Sequence, residues 1–82
     1  MFLQQYCPYC VAALQHMDSL FAEDPKYKAL EIEKIDELVH PDIAKKYGYY
    51  YVPTYYIGDK KMHEGAASLK DVRRVFDAAL KT

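Results

Sequence analysis

Cys7 and Cys10, three positions apart, are the residues of this sequence best suited to chemistry. A thiolate attacks disulfides and binds soft metals, so the question is which sulfur sits where negative charge is stabilised. Pro8 follows Cys7 directly, and proline suits the first turn of a helix, where its missing N–H would have no partner anyway. That places Cys7 at a helix N-terminus, whose unpaired N–H groups and dipole favour an anion. Such sites bring a cysteine pKa from about 8.5 down to roughly 3.5–7.5. Cys10, one turn later, faces the same side and is expected to be less exposed, with the higher pKa. The pair therefore reads as an attacking Cys7 and a resolving Cys10 that releases a mixed disulfide.

Other uses of two close thiols fit less well. A structural zinc site wants four ligands, and His16, His40 and His63 are scattered without a ligand spacing. The histidines are read as surface residues, and no metal ligand is assigned. Inert core thiols would not need a proline and a tyrosine between them at a strand–helix junction. The rival from another functional class is an iron–sulfur or soft-metal module that uses the same thiolates.

The elements that must position the pair follow from patterning. Phe2 to Tyr6 reads as a short strand running into the cysteines. Val11, Leu14, Met17, Leu20 and Phe21 continue at helical spacing to about Glu23, where Asp24-Pro25 breaks the helix. Leu30 and Ile32 alternate with Glu31 and Glu33, which suggests a half-buried strand over Ala29–Ile35. Pro41 to Tyr47 reads as a short helix ended by Gly48. Tyr55, Tyr56 and Ile57 form a strand, Gly58-Asp59 a turn, and Lys61 to Glu64 a polar returning arm. Ser68 and Asp71 form an N-terminal capping pair for a last helix whose Leu69, Val72, Val75, Phe76, Ala79 and Leu80 share one face. The order is βαβ, a short helix, then ββα: an α/β fold with a four-stranded mixed sheet flanked by helices. The first two strands should be parallel through a right-handed crossover.

Size and composition set the outer bounds. The chain has 82 residues, of which 51% are hydrophobic and 28% charged, which fits one globular domain over residues 1–82. A formal net charge of −1 gives no electrostatic case for nucleic acid, and no basic block suggests an anionic membrane. Two closely spaced cysteines are unlike the wide frameworks of secreted mini-proteins, and Met1-Phe2-Leu3-Gln4-Gln5 carries no positive leader. A reducing, cytoplasmic location and a monomeric state are the expectations.

Cys7-Pro8-Tyr9-Cys10 resembles the active site of dithiol glutaredoxins, and the chain length suits that family. The second half resembles thioredoxins: Lys46-Tyr47-Gly48-Tyr49-Tyr50-Tyr51-Val52-Pro53-Thr54 is similar to the segment ending in a cis-proline and threonine. Glu64-Gly65-Ala66-Ala67-Ser68 is similar to the thioredoxin approach to the last helix. The resemblance implies a thioredoxin-like fold, a cis Pro53 against the cysteines, and a Val52 backbone that pairs with bound peptide or glutathione. It also implies glutathione as reductant or co-substrate with no built-in cofactor, and disulfide-containing or glutathionylated proteins as partners. A thioredoxin-reductase-type flavoprotein is the alternative reductant. Two stretches depart from the glutaredoxin pattern. Gln4 stands where a lysine is usual, and His63, Glu64 and Ala66–Ala67 replace a Gly-Gly pair and the acidic residue after it. Fewer charge-assisted bonds would then hold the glutathione carboxylates. Among nine tyrosines, Tyr6, Tyr9, Tyr49, Tyr50 and Tyr51 would share this end of the molecule, with Tyr9 and Tyr51 the candidates for touching substrate. The site set is thus Cys7 and Cys10 for chemistry, with Gln4, Tyr9, Tyr51, Val52 and Pro53 for binding.

Overall fold

A computed structural model describes all of residues 1–82. Strand β1 is Phe2–Leu3, followed by helix α1 (Pro8–Glu23) and a 3₁₀ turn at Pro25–Ala29. Strand β2 (Ile35–Asp36), helix α2 (Pro41–Ala44), strands β3 (Thr54–Ile57) and β4 (Lys60–Glu64) and helix α3 (Leu69–Leu80) complete the order. The sheet runs β2-β1-β3-β4, with β1 parallel to β2 and both other pairings antiparallel. This is the mixed, helix-flanked sheet of a thioredoxin-like fold.

Three elements differ in extent from the sequence reading. The first strand stops at Leu3, because Cys7 N–H turns back to Gln4 C=O at 3.3 Å and Tyr6 takes a φ of 70°. That left-handed conformation is uncommon for a tyrosine, and it reverses the chain into α1. The second strand is not Ala29–Ile35 but Ile35–Asp36. Leu30 and Ile32 pack against the core as expected for alternating residues, yet β1 has only two residues with which to pair. The short helix ends at Ala44 rather than Tyr47, continuing as turns through Lys46 and Tyr47 N–H bonds to Ile43 and Ala44 C=O. The 3₁₀ turn was not foreseen. Its start is fixed by Asp24, whose carboxylate accepts from Lys26 N–H at 3.1 Å.

One face of the sheet is covered by α1 and α3. Ala13, Met17 and Leu20 from α1 meet Val72, Val75 and Phe76 from α3, with Tyr27 and Tyr55 completing the cluster. Each fully buried large apolar side chain contributes about 1.5–3 kcal/mol. Phe76 holds the two helices through stacked Phe21 (centroids 5.4 Å) and tilted Tyr27 (5.5 Å). The other face has no long helix. Phe2 instead packs under Tyr47 at 4.8 Å, Tyr49 at 4.9 Å and Tyr56 at 5.8 Å. Much of the tyrosine content therefore replaces a helical layer.

α3 begins on the capping box expected from Ser68 and Asp71: Asp71 N–H donates to Ser68 Oγ at 3.1 Å, and Ser68 N–H to the Asp71 carboxylate at 3.0 Å. Gly65, just before it, has a φ of 90°, which a side chain would oppose. Its N–H donates to Pro53 C=O at 2.9 Å, tying the end of β4 to the start of β3.

Candidate active site

The turn after β1 delivers Cys7 as the residue capping α1, in extended conformation, with Pro8 in the first helical turn. Val11 N–H donates to Cys7 C=O at 2.9 Å, so the helix starts directly on the cysteine backbone. Cys7 is half-buried, whereas Cys10 is 1% exposed. Both are free thiols.

Their environments push the two sulfurs apart. Burial and the Glu37 charge both oppose a Cys7 thiolate, burial more strongly. The N–H groups of Cys10 and Tyr9 and the Cys10 thiol outweigh them and hold Cys7 below its ordinary value. Cys10 is pushed up to about 11, first by burial, then by its neighbours Cys7 and Glu37, against the Gln4 N–H that donates to Cys10 Sγ at 3.5 Å. One thiol is prepared to ionise and the other to stay protonated.

Sheet register brings the second half of the site alongside. Phe2 lies opposite Thr54 in the antiparallel β1/β3 pair. Because the pair is antiparallel, Pro53 and Val52, which precede Thr54, lead toward the end of β1 from which the cysteine turn departs. The Val52–Pro53 bond is cis. Pro53 is buried, its C=O taken by Gly65, while Val52 is half-buried and makes no backbone hydrogen bond within the chain. The hydroxyl of buried Thr54 donates to Tyr51 C=O, which fixes the loop before the proline.

A family model described as a thioredoxin domain matches residues 1–77. The chain belongs to the thioredoxin-domain family. Neither the curated proteins nor the solved structures gave a match. Family membership and the Cys7–Cys10 pair together make this a thiol redox domain.

The remaining candidates of the thioredoxin domain fall into two groups. Tyr9 and Tyr51 are exposed, as are Tyr6 and Tyr50 (87% and 91%), and they flank the cysteines and Val52 respectively. Tyr49 is not part of that rim: its ring stacks on Phe2 and its hydroxyl donates to Glu37 at 3.2 Å. Gln4 is committed within the protein, its carboxamide N–H donating to Glu37 at 2.8 Å. Glu64 is committed too. It accepts from Tyr50 N–H at 2.6 Å and Tyr51 N–H at 3.1 Å, and pairs with Lys61 at 2.7 Å. Those contacts, the Lys61 pairing foremost, hold its carboxyl below the usual range. Sequence reasoning missed Glu37. No spacing rule links it to residues 27 and 30 positions earlier; only the parallel pairing of β1 with β2 brings them together.

Proposed function

We propose that this thioredoxin domain is a dithiol reductase acting on protein disulfides and glutathione mixed disulfides in the cytoplasm. The observation that carries the reading is the asymmetry of the pair: an accessible helix-capping Cys7 with a lowered pKa beside a buried Cys10 at about 11. Cys7 thiolate attacks one substrate sulfur, forming a mixed disulfide as the substrate S–S bond breaks. The departing thiolate takes a proton. Cys10 then gives up its proton and attacks Cys7 Sγ, forming the Cys7–Cys10 disulfide and releasing the second substrate thiol. Two electrons pass from the dithiol to the substrate. Val52, with free backbone N–H and C=O groups beside this end of β1, offers an edge for an extended peptide. Tyr9 and Tyr51 supply amphipathic contact area around it.

Glutathione is proposed as one reductant. A thioredoxin-reductase-type flavoprotein is the second, favoured by a specific observation: Gln4 is neutral and bound to Glu37, and Lys61 is bound to Glu64. The test follows NADPH consumption in two coupled assays, one with glutathione and its reductase, one with thioredoxin reductase. The wild type should reduce a protein disulfide in at least one. Cys10→Ser should keep turnover of glutathione mixed disulfides, which needs one thiolate, and lose protein-disulfide reduction through a trapped intermolecular disulfide. Equal loss of both activities would remove the resolving role of Cys10.

A further inference from the structure

Glu37 takes no part in the thiol exchange itself, yet the end of β1 and the loop leading to Pro53 both converge on it. Its N–H donates to Leu3 C=O at 3.0 Å, which pins the residue after β2 to the end of β1. Its carboxylate accepts from Gln4 Nε2 at 2.8 Å and from the Tyr49 hydroxyl at 3.2 Å, on the loop leading to Pro53. Gln4 in turn directs its backbone N–H at Cys10 Sγ, 3.5 Å away. A clamped carboxylate therefore stands one residue removed from the buried sulfur.

We propose that Glu37 is a positioning residue whose fixed negative charge biases the Cys7–Cys10 couple toward the disulfide and so makes the protein a stronger reductant. This rests on the dithiol reading above. Reducing the Cys7–Cys10 disulfide takes two electrons and two protons, and breaks one S–S bond to give two thiols. Cys7 then ionises readily, so the reduced site carries negative charge that the oxidised site lacks. A neighbouring carboxylate repels that charge and raises the free energy of the reduced form alone. Glu37 does act against ionisation of both sulfurs, opposing the N–H donors around Cys7.

The other groups at this site do not cancel its charge. Tyr49 and Tyr55 are held neutral, their hydroxyl pKa values raised chiefly by burial. The Asp36 carboxylate is spent on Leu38 N–H at 2.9 Å and Gln5 N–H at 3.1 Å. Gln4 is a neutral donor where a cation would have formed an ion pair. The uncharged residue at position 4 is what leaves Glu37 uncompensated.

The test equilibrates the protein in dithiothreitol buffers of graded redox ratio and reads the fraction of Cys7–Cys10 disulfide. Glu37→Gln should favour the dithiol by about tenfold at pH 8, which is about 30 mV toward a more oxidising potential. Gln4→Lys should move it the same way with the carboxylate still in place. Tyr49→Phe, which removes a hydrogen bond but no charge, should move it less than Glu37→Gln. The difference between Glu37→Gln and wild type should narrow as pH falls through the Cys7 pKa, measured by alkylation of the same samples. An unchanged potential in Glu37→Gln, or a shift equal at every pH or equal in Tyr49→Phe, overturns the electrostatic role. A wild type that forms no Cys7–Cys10 disulfide in oxidising buffer would instead overturn the dithiol reading itself.

Discussion

At the scale of single residues, the site is a contrast between two identical side chains. Cys7 and Cys10 differ because one caps the helix and the other lies on its buried face, and position converts that into different acidities. The sign of the pH dependence follows. Cys7 is lowered, so the midpoint of its alkylation rate against pH should lie below that of an ordinary thiol. Cys10 is raised, so it should resist labelling until the pH nears 11 or the protein is unfolded. Mass analysis after brief iodoacetamide treatment at pH 7 checks this, and modification of Cys10 ahead of Cys7 would contradict it. This contrast was legible in the sequence, because Pro8 marks the first helical turn and sets both cysteines relative to it. Glu37 was not. It reaches the sulfurs only through Gln4 and the β1/β2 pairing, and a glutamate beyond a short strand looks like any solvated acid. The tyrosines divide the same way: spacing cannot tell Tyr49, whose ring supports Phe2, from Tyr50, which faces water.

At the scale of elements, the helices were readable and the strand limits were not. α1 and α3 carry their own start signals in Pro8 and in the Ser68/Asp71 pair, and local signals survive folding unchanged. β2 depends on a partner. Leu30 and Ile32 have the alternation of a strand and pack against the core, but the ladder to β1 is short: Met1 and Leu3 carbonyls accept from Ile35 and Glu37 N–H, and before it the Met1 ammonium reaches Glu33 C=O. The capping box of α3 is the element most open to test. Ser68→Ala removes the acceptor for Asp71 N–H and should cost about 1 kcal/mol, moving Tm by roughly 4–8 °C in a domain of this size. Cys7 alkylation should stay as in wild type, since Phe21–Phe76 stacking and the Glu23–Arg73 ion pair hold α3 to the far end of α1 without the box. Thermal unfolding followed by circular dichroism reads the first effect, and no loss of Tm would show that the box contributes nothing.

At the scale of the whole molecule, stability should depend on acid in a defined direction. Glu64 and Asp71 both hold their protons less tightly in the folded chain: Glu64 through Lys61 and the Tyr50 and Tyr51 N–H groups, Asp71 through Ser68. The unfolded chain therefore binds more protons. The stabilisation is complete above the ordinary values of 4.5 and 3.8, and is lost as pH falls through the lower folded values. Urea midpoints should drop as pH falls through that window, and Glu64→Gln should flatten that part of the drop. A midpoint that rises on acidification would contradict the assignment. The sheet order has a further consequence, for how these molecules behave in a crowd. Its two borders are β2, which has two residues to offer a newcomer, and β4, which begins with exposed Lys60 and Lys61. A neighbour seeking to add a strand meets too short a template on one border and, on the other, a strand opened by Lys60 and by a Lys61 paired with Glu64. Tyr6, Tyr9, Tyr50 and Tyr51 thus stay bare to water on a molecule whose sheet borders give a neighbouring strand little to pair with.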